Sequence, residues 1–398
     1  MDTDGIHAGS PLMAMAHSFL ADGILSLSMP GPSRDSTYYI SDGNSVFLVE
    51  NTLFKVHRST LMKDKSAFET MFQLSSETDS SRSDMSSAAS TEGDADDNPI
   101  RLQGDTADEF RALLWSLYAL PHELLTALTP EADYTQMFNL ARITNKYQFR
   151  SLESWALGAM YGYFSQPGAF DNVPTIQAPV LPIALPPALT GASPPQQPPS
   201  LTQVTELSAL CERFDLLELV IMRWRHLIGE GRDLALAIDV GERFNLRTML
   251  GLAYHAMMLK GKAHWETEQA LTRDRRVRLL CGYYSLCKLW ETLPSTPPVM
   301  SHSPRCTSQA RCTKAFGMLW KAAIESWSSG PMPAFQREDV LGRLMWTESM
   351  LAAIVKGEVN PQSVLEGVHT CKENVLAVTT IRFKEIKDNL ADYFADDF

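Results

Sequence analysis

The chain has 398 residues, of which 44% are hydrophobic and 21% are charged, and these values are typical of globular proteins. They exclude wholesale disorder, a collagen-like repeat and a small scaffold that depends on disulfides. Because a domain averages about 150 residues, the length predicts more than one domain.

The net charge is −12, from 35 basic and 47 acidic residues. Half of this excess lies in one serine-rich tract, 75–98, which holds seven acidic residues and one arginine. An acidic chain lacks the positive charge that phosphate-backbone binding requires, so we expect no nucleic-acid partner. The sequence has no uninterrupted apolar run of membrane-spanning length, and we expect no membrane partner either.

The N-terminal segment, 1–36, has helical spacing of apolar residues around Phe19 and Leu20, which predicts a short amphipathic helix. The segment 46–57 predicts a tight β-hairpin with its turn at Glu50-Asn51. Helical spacing follows from Leu61 onward.

The tract 75–98 predicts a disordered acidic loop, because it lacks apolar periodicity. One interpretation is a solvated insertion without a role of its own. The other is a regulatory segment, in which phosphorylation of Ser75, Ser76 or Thr78 beside acidic residues adds charge.

Further elements follow in order. Residues 99–102 predict a strand, and Thr106 with Glu109 predicts a capping box at the start of a long helix. The next predicted helices span about 131–147 and 151–164. Ten prolines between 166 and 200 predict an extended linker at 164–200. The remainder, 201–398, is helical by pattern, with helices at about 201–228, 233–260, 266–292, 307–328, 337–356 and 361–394.

A pattern of a helix, a turn with an aromatic residue and a second helix occurs three times. The aromatic residues are Tyr147, Phe214 and Phe244. Helix pairs of this kind bury their apolar faces against neighbouring pairs, so the pattern predicts a helical stack.

Four short motifs lie within the region 37–163: Val46-Phe47-Leu48-Val49, Phe54-(x2)-His57-Arg58-(x2)-Leu61, Ser66-x-Phe68-(x2)-Met71-Phe72 and Ala119-Leu120-Pro121. With these motifs the region resembles a BTB/POZ domain, of the type abundant in mushroom-forming fungi. The resemblance implies an α+β domain, with a short β-sheet and helical hairpins, followed by an all-α domain at 201–398.

The resemblance also implies a protein-interaction module without catalytic residues or a cofactor, which functions as a homodimer or docks a protein partner. We expect Phe19, Leu20, Leu61 and Met62 to contribute to the apolar dimer surface. An alternative is an adaptor of a cullin-type ubiquitin ligase, for which Pro121-His122-Glu123 is a partial match. The common enzymatic motifs, such as Gly-rich phosphate loops, are not found, and we expect no enzyme.

The six cysteines are typical of reduced thiols in a cytoplasmic or nuclear protein. Two pairs, Cys281-(x5)-Cys287 and Cys306-(x5)-Cys312, lie near His302 and leave open a zinc-stabilised helical regulatory protein. Zinc knuckles usually place paired ligands two to four residues apart. The spacing therefore favours cysteines that fill the core, and no metal ligand is predicted.

Overall fold

The structure is a computed structural model that describes residues 31–80, 92–129, 132–177, 197–325, 338–356 and 368–395. It divides into two compact units, the first formed by 1–120 with 143–152 and the second by 121–142 with 153–398. The predicted linker at 164–200 belongs to the second unit in this division, and its residues 178–196 lie outside the described residues. The predicted helix around Phe19 and Leu20 also lies outside them.

A mixed four-stranded sheet forms the centre of the first unit. Its strands are β1 (Ser33–Tyr39), β2 (Ser45–Val49), β3 (Thr52–Val56) and β4 (Ile100–Leu102). The order is β1-β3-β2-β4, in which β2 and β3 are antiparallel and both outer strands pair in parallel. The predicted hairpin is confirmed, with Val49 opposite Thr52 and Glu50 in a left-handed turn conformation. Strand β1 was not predicted. It begins at Ser33, inside the predicted N-terminal segment 1–36, and continues into the region 37–163.

The helices of the first unit cover this sheet. They are α1 (Arg58–Leu61), α2 (Ala67–Ser80) and α3 (Ala107–Tyr118). Aromatic side chains from the sheet and helices form the core, with the Phe110 ring 5.0 Å from that of Phe54 and 5.4 Å from that of Phe47. The predicted capping box is confirmed, since the Glu109 N–H donates to Thr106 Oγ1 and the Thr106 N–H donates to the Glu109 carboxylate. An α+β unit is therefore present.

The prediction of one disordered loop over 75–98 is wrong at both ends. Helix α2 continues to Ser80, so Ser75, Ser76 and Thr78 lie on a helix. At the other end, Asp96 accepts a 2.6 Å hydrogen bond from Tyr39 Oη and pairs with Arg34 at 2.7 Å. These bonds join the end of the tract to β1, which the sequence pattern did not reveal. Residues 81–91 lie outside the described residues.

The second unit is helical throughout its described residues. Its helices are α4 (Pro121–Thr126), α5 (Tyr134–Tyr147), α6 (Arg150–Phe164), α7 (Leu201–Leu210), α8 (Phe214–Gly229), α9 (Leu234–Arg243), α10 (Arg247–Leu259), α11 (Lys262–Thr267), α12 (Arg273–Thr292), α13 (Gln309–Glu325), α14 (Val340–Lys356) and α15 (Lys372–Asp388). Helices α5 and α6 also contribute their adjoining ends to the first unit. Short 3₁₀ segments occupy Leu293–Ser295, His369–Cys371 and Leu390–Phe394.

Two predicted helices, 201–228 and 233–260, are each two helices in the structure, and the predicted helix 266–292 begins later, as α12 at Arg273. The first two break at left-handed residues, Glu212 (φ 51°) and Asn245 (φ 52°), and Gln148 (φ 63°) has the same role between α5 and α6. In all three, the next residue donates its N–H to the carbonyl five positions earlier, which is the Schellman pattern. The predicted repetition is therefore a repeated helix ending. In the first and third copies the aromatic residue directly precedes the left-handed residue, whereas Phe214 lies two residues after Glu212. Phe214 is 71% exposed.

The 3₁₀ segment Leu390–Phe394 packs into the helices of the second unit. Phe394 is buried and stacks on Tyr254 of α10, with ring centroids 5.2 Å apart. Two glycines make room for this segment. A Cβ atom on Gly251 would lie 2.6 Å from the Ala391 nitrogen, and one on Gly282 would lie 2.0 Å from the Phe394 ring.

Candidate metal centre

Four side chains with metal-binding atoms converge in the second unit. One ligand atom from each of His302, Cys306, Cys312 and Cys371 lies within 4.8 Å of all the others. His302 Nδ1 is 3.8 Å from Cys306 Sγ and 3.9 Å from Cys371 Sγ. Cys312 and Cys371 are buried, and the other two side chains are partly exposed. The set is one imidazole and three thiols, all of which can ligate a soft or borderline metal ion.

Three separate segments supply these residues. His302 and Cys306 lie in the connection before α13, where the Cys306 N–H donates to the Ser303 carbonyl across a tight turn. Cys312 lies in the first turn of α13, and Cys371 is the N-cap residue of α15. The Asn374 side-chain amide donates to the Ser301 carbonyl at 2.8 Å, which holds the connection against α15.

The hydrogen bonds of His302 identify its tautomer. Its Nε2 lies 3.1 Å from Thr313 Oγ1, and that hydroxyl donates its own hydrogen to the Gln309 carbonyl at 3.0 Å. In the neutral imidazole, Thr313 therefore accepts the Nε2–H of His302, and the lone pair of Nδ1 faces the thiols. This is the arrangement of a metal-ligating histidine, in which the outer nitrogen donates to a fixed acceptor.

The thiols differ in their ease of ionisation. Burial raises the pKa of Cys312 to about 12, and the neighbouring thiols Cys371 and Cys306 add to the effect. Burial also opposes ionisation of Cys371, but a hydrogen bond from the Ser303 N–H, with contributions from Cys312 and Thr370, lowers its pKa to about 7. The Ser303 N–H lies 3.4 Å from Cys371 Sγ. Of these two thiols, Cys371 therefore ionises more easily.

The sequence analysis identified only some of these four residues as candidate ligands. His302, Cys306 and Cys312 were considered as ligands, whereas Cys281 and Cys287 lie on α12 and are not in the cluster. The prediction missed Cys371, because it is distant in the sequence and no partner at a ligand spacing marks it. The predicted helix 361–394 also placed Cys371 inside a helix, whereas in the structure it lies directly before one.

The predicted interaction residues are not brought together as one surface. Leu61 has no exposed surface, so the prediction that it contributes to a dimer surface is wrong; it is a core residue at the end of α1. Met62 is 40% exposed and remains available. Phe19 and Leu20 lie outside the described residues.

A different apolar surface is exposed in the second unit. Helix α4 has no buried residue, and Leu125 is 65% exposed. Leu128, just after this helix, is 53% exposed. We call Leu125 and Leu128 the α4 leucines.

Comparisons with protein-family models, curated proteins and solved structures found no match to this chain. Within the described residues, no helix is both long enough and apolar enough to cross a membrane.

Proposed function

We propose that this chain is a non-catalytic protein-interaction protein with an α+β module of the BTB/POZ type, and that the chain associates with a second copy of itself. The order of elements supports this proposal, since a hairpin, two helices, a strand and a long helix follow one another as the resemblance implies. We further propose the cytoplasm or the nucleus as its compartment, because all six cysteines, which lie within the described residues, are unbridged.

The observation that carries the proposal is the exposure of the α4 leucines. Helix α4 has no buried residue, so its leucine side chains gain little hydrophobic stabilisation from packing within their own chain. Burying one leucine side chain is worth about 1.5–3 kcal/mol. Two copies related by a twofold axis would bury the same leucines from both chains, which favours self-association.

The second candidate is a cullin-ligase adaptor, and the same observation favours it. The partial cullin signature, Pro121-His122-Glu123, lies in α4 itself and ends two residues before Leu125. In this case a cullin, and not a second copy, would cover the α4 leucines.

One experiment tests both candidates. Light scattering after gel filtration measures the mass of the full chain at micromolar concentration, alone and mixed with a recombinant cullin N-terminal region. We expect a dimer alone, and we expect Leu125→Ser combined with Leu128→Ser to weaken the dimer tenfold or more. Leu280→Ser is the matched control, because Leu280 is a leucine of similar exposure, 54%, on α12.

The outcomes separate the candidates. A dimer that is lost in the double variant and kept in the control supports self-association. A monomer that binds the cullin through the α4 leucines supports the adaptor instead. A monomer that binds no cullin contradicts both.

A further inference from the structure

We propose that His302, Cys306, Cys312 and Cys371 form a structural zinc site that joins the start of α13 to the start of α15. This inference goes beyond the proposed interaction function and does not depend on it.

The chemical types of the ligands favour zinc. Three thiolates and one imidazole are an established ligand set of structural zinc sites, whereas Mg²⁺ and Ca²⁺ prefer oxygen ligands. Iron–sulfur clusters usually take four cysteines, or two histidines with two cysteines. The His302 tautomer fits the same conclusion, since its unprotonated Nδ1 faces the thiols while Nε2 is held by Thr313.

The distances are close to those of a tetrahedral site. Zn–S bonds of about 2.3 Å and Zn–N bonds of about 2.0–2.1 Å place neighbouring ligand atoms about 3.5–3.8 Å apart. The two sulfur–nitrogen distances are 3.8 and 3.9 Å, and no pair in the set exceeds 4.8 Å. Shifts of about 1 Å or less, within the reach of small side-chain rotations, complete the tetrahedron.

The surroundings compensate the charge of the complex. Three thiolates and a neutral imidazole around Zn²⁺ leave one net negative charge. Cys312 lies in the first turn of α13 and Cys371 caps α15, and both helices have 17 residues. The positive ends of the two helix dipoles therefore lie next to this charge, and the Ser303 N–H donates to Cys371 Sγ.

Cysteines that only fill the core are the rival explanation, and the sequence spacing favoured it. Such cysteines would need apolar neighbours, and they would not need an imidazole nitrogen whose lone pair faces them. In this site the partners of that nitrogen would be cysteine thiols, which are only weak hydrogen-bond donors. A metal ion satisfies all four groups at once.

The site is closed, which indicates a structural role. Four protein ligands fill a tetrahedral zinc ion and leave no position for water or a substrate. Cys371 lies 59 positions after Cys312, the ligand that precedes it in the sequence. The zinc ion would therefore act as a cross-link between distant parts of the second unit.

The test measures metal content and metal geometry in the full chain. After dialysis against a weak chelator, elemental analysis is expected to find one zinc ion per chain. Replacement by Co²⁺ should give intense visible bands of tetrahedral cobalt together with thiolate-to-cobalt charge-transfer bands. Strong chelation should lower the Tm by roughly 10 °C or more, and added zinc should restore it.

Matched variants locate the site. Cys306→Ser and Cys371→Ser should lose the zinc ion, whereas Cys281→Ser and Cys287→Ser should retain it, since these two cysteines lie outside the cluster. His302→Cys separates loss of a ligand from loss of folding. It should retain zinc, and its cobalt charge-transfer absorption should increase because a fourth thiolate is added.

Three results would overturn the inference. The first is a wild-type chain that is free of zinc and binds neither Zn²⁺ nor Co²⁺. The second is zinc that the Cys281 and Cys287 variants lose to the same extent as the cluster variants. The third is a cobalt spectrum that shows octahedral geometry or lacks the charge-transfer bands.

Discussion

Gly282 shows how a single side-chain atom can control packing in the second unit. Its helix, α12, passes against the Phe394 ring, and a Cβ atom at this position would lie 2.0 Å from that ring. Phe394 is only 2% exposed, so it has little room to move away. The absence of a side chain at Gly282 therefore allows the segment Leu390–Phe394 to pack.

Gly282→Ala is expected to lower the free energy of unfolding by about 1–3 kcal/mol, because the added methyl group overpacks a filled site. Gly317→Ala is the control. Gly317 also lies within a helix, α13, but nothing lies within 4 Å of its Cβ position. This substitution should increase stability by about 0.5–1 kcal/mol through helix propensity. Urea unfolding measures both, and equal effects at the two positions would contradict the described packing.

His255 is a buried histidine that affects stability in acid. Burial lowers the pKa of His255 to about 4, although Asp339, whose carboxylate is 3.8 Å away, opposes the shift. The unfolded chain binds this proton near pH 6.5, the ordinary value, whereas the folded chain does not bind it until about pH 4. Acid therefore favours the unfolded chain, because only the unfolded chain readily binds a proton at His255.

We expect the stability from neutral His255 to be complete above about pH 6.5 and to decrease as the pH falls to about 4. The full loss is roughly 3 kcal/mol, at about 1.4 kcal/mol per pH unit. Urea unfolding at several pH values checks this. His255→Gln should show a smaller decrease over this range, and the exposed His264→Gln should behave as the wild type. An identical pH dependence in the His255 variant and the wild type would contradict the assignment.

At the scale of elements, the helix endings determine how the second unit is divided into helices. Glu212 ends α7 in a left-handed conformation, with φ 51°. Left-handed backbone is unfavourable for a residue with a side chain and favourable for glycine. The Schellman ending is therefore formed here with a local energetic cost.

Glu212→Gly should consequently increase the free energy of unfolding by about 1 kcal/mol. Glu218→Gly is the matched control, because Glu218 is an exposed glutamate inside α8. There the same substitution should decrease stability by about 1 kcal/mol. Thermal and urea unfolding should show opposite signs for the two variants; the same sign would mean that α7 does not end in this way.

Elements defined by local signals were predicted well from the sequence. The hairpin, strand β4 and the capping box of α3 depend on residues within a few positions of one another, and all three are confirmed. Strand β1 was missed because its polar sequence shows no alternating apolar pattern and its parallel pairing with β3 is set by the fold. The apolar pattern predicted unbroken helices across the breaks after α7 and α9, because glutamate and asparagine, not glycine, adopt the left-handed conformation there. Only the repeated pattern around Phe214 and Phe244 indicated turns.

At the scale of the whole molecule, contacts between segments that are distant in the sequence could not be predicted from local patterns. Leu61 has the spacing of a helix residue, but only the packed unit shows that no part of it is exposed. The ligand cluster is a similar case, because Cys371 joins the other three only through the packing of α15. Spacing rules for zinc ligands apply to pairs that are close in the sequence. They could not identify Cys371, which completes the ligand set from a distant segment.

The separation of Cys371 from the other three ligands has a consequence for synthesis. A ribosome that adds about 5–20 residues per second makes the 59-residue interval after Cys312 in roughly 3–12 s. During that time the nascent chain presents at most three of the four ligands, His302, Cys306 and Cys312. Metal capture in the final geometry must therefore follow translation of α13 and α14, which makes it a late step in the maturation of this half of the protein.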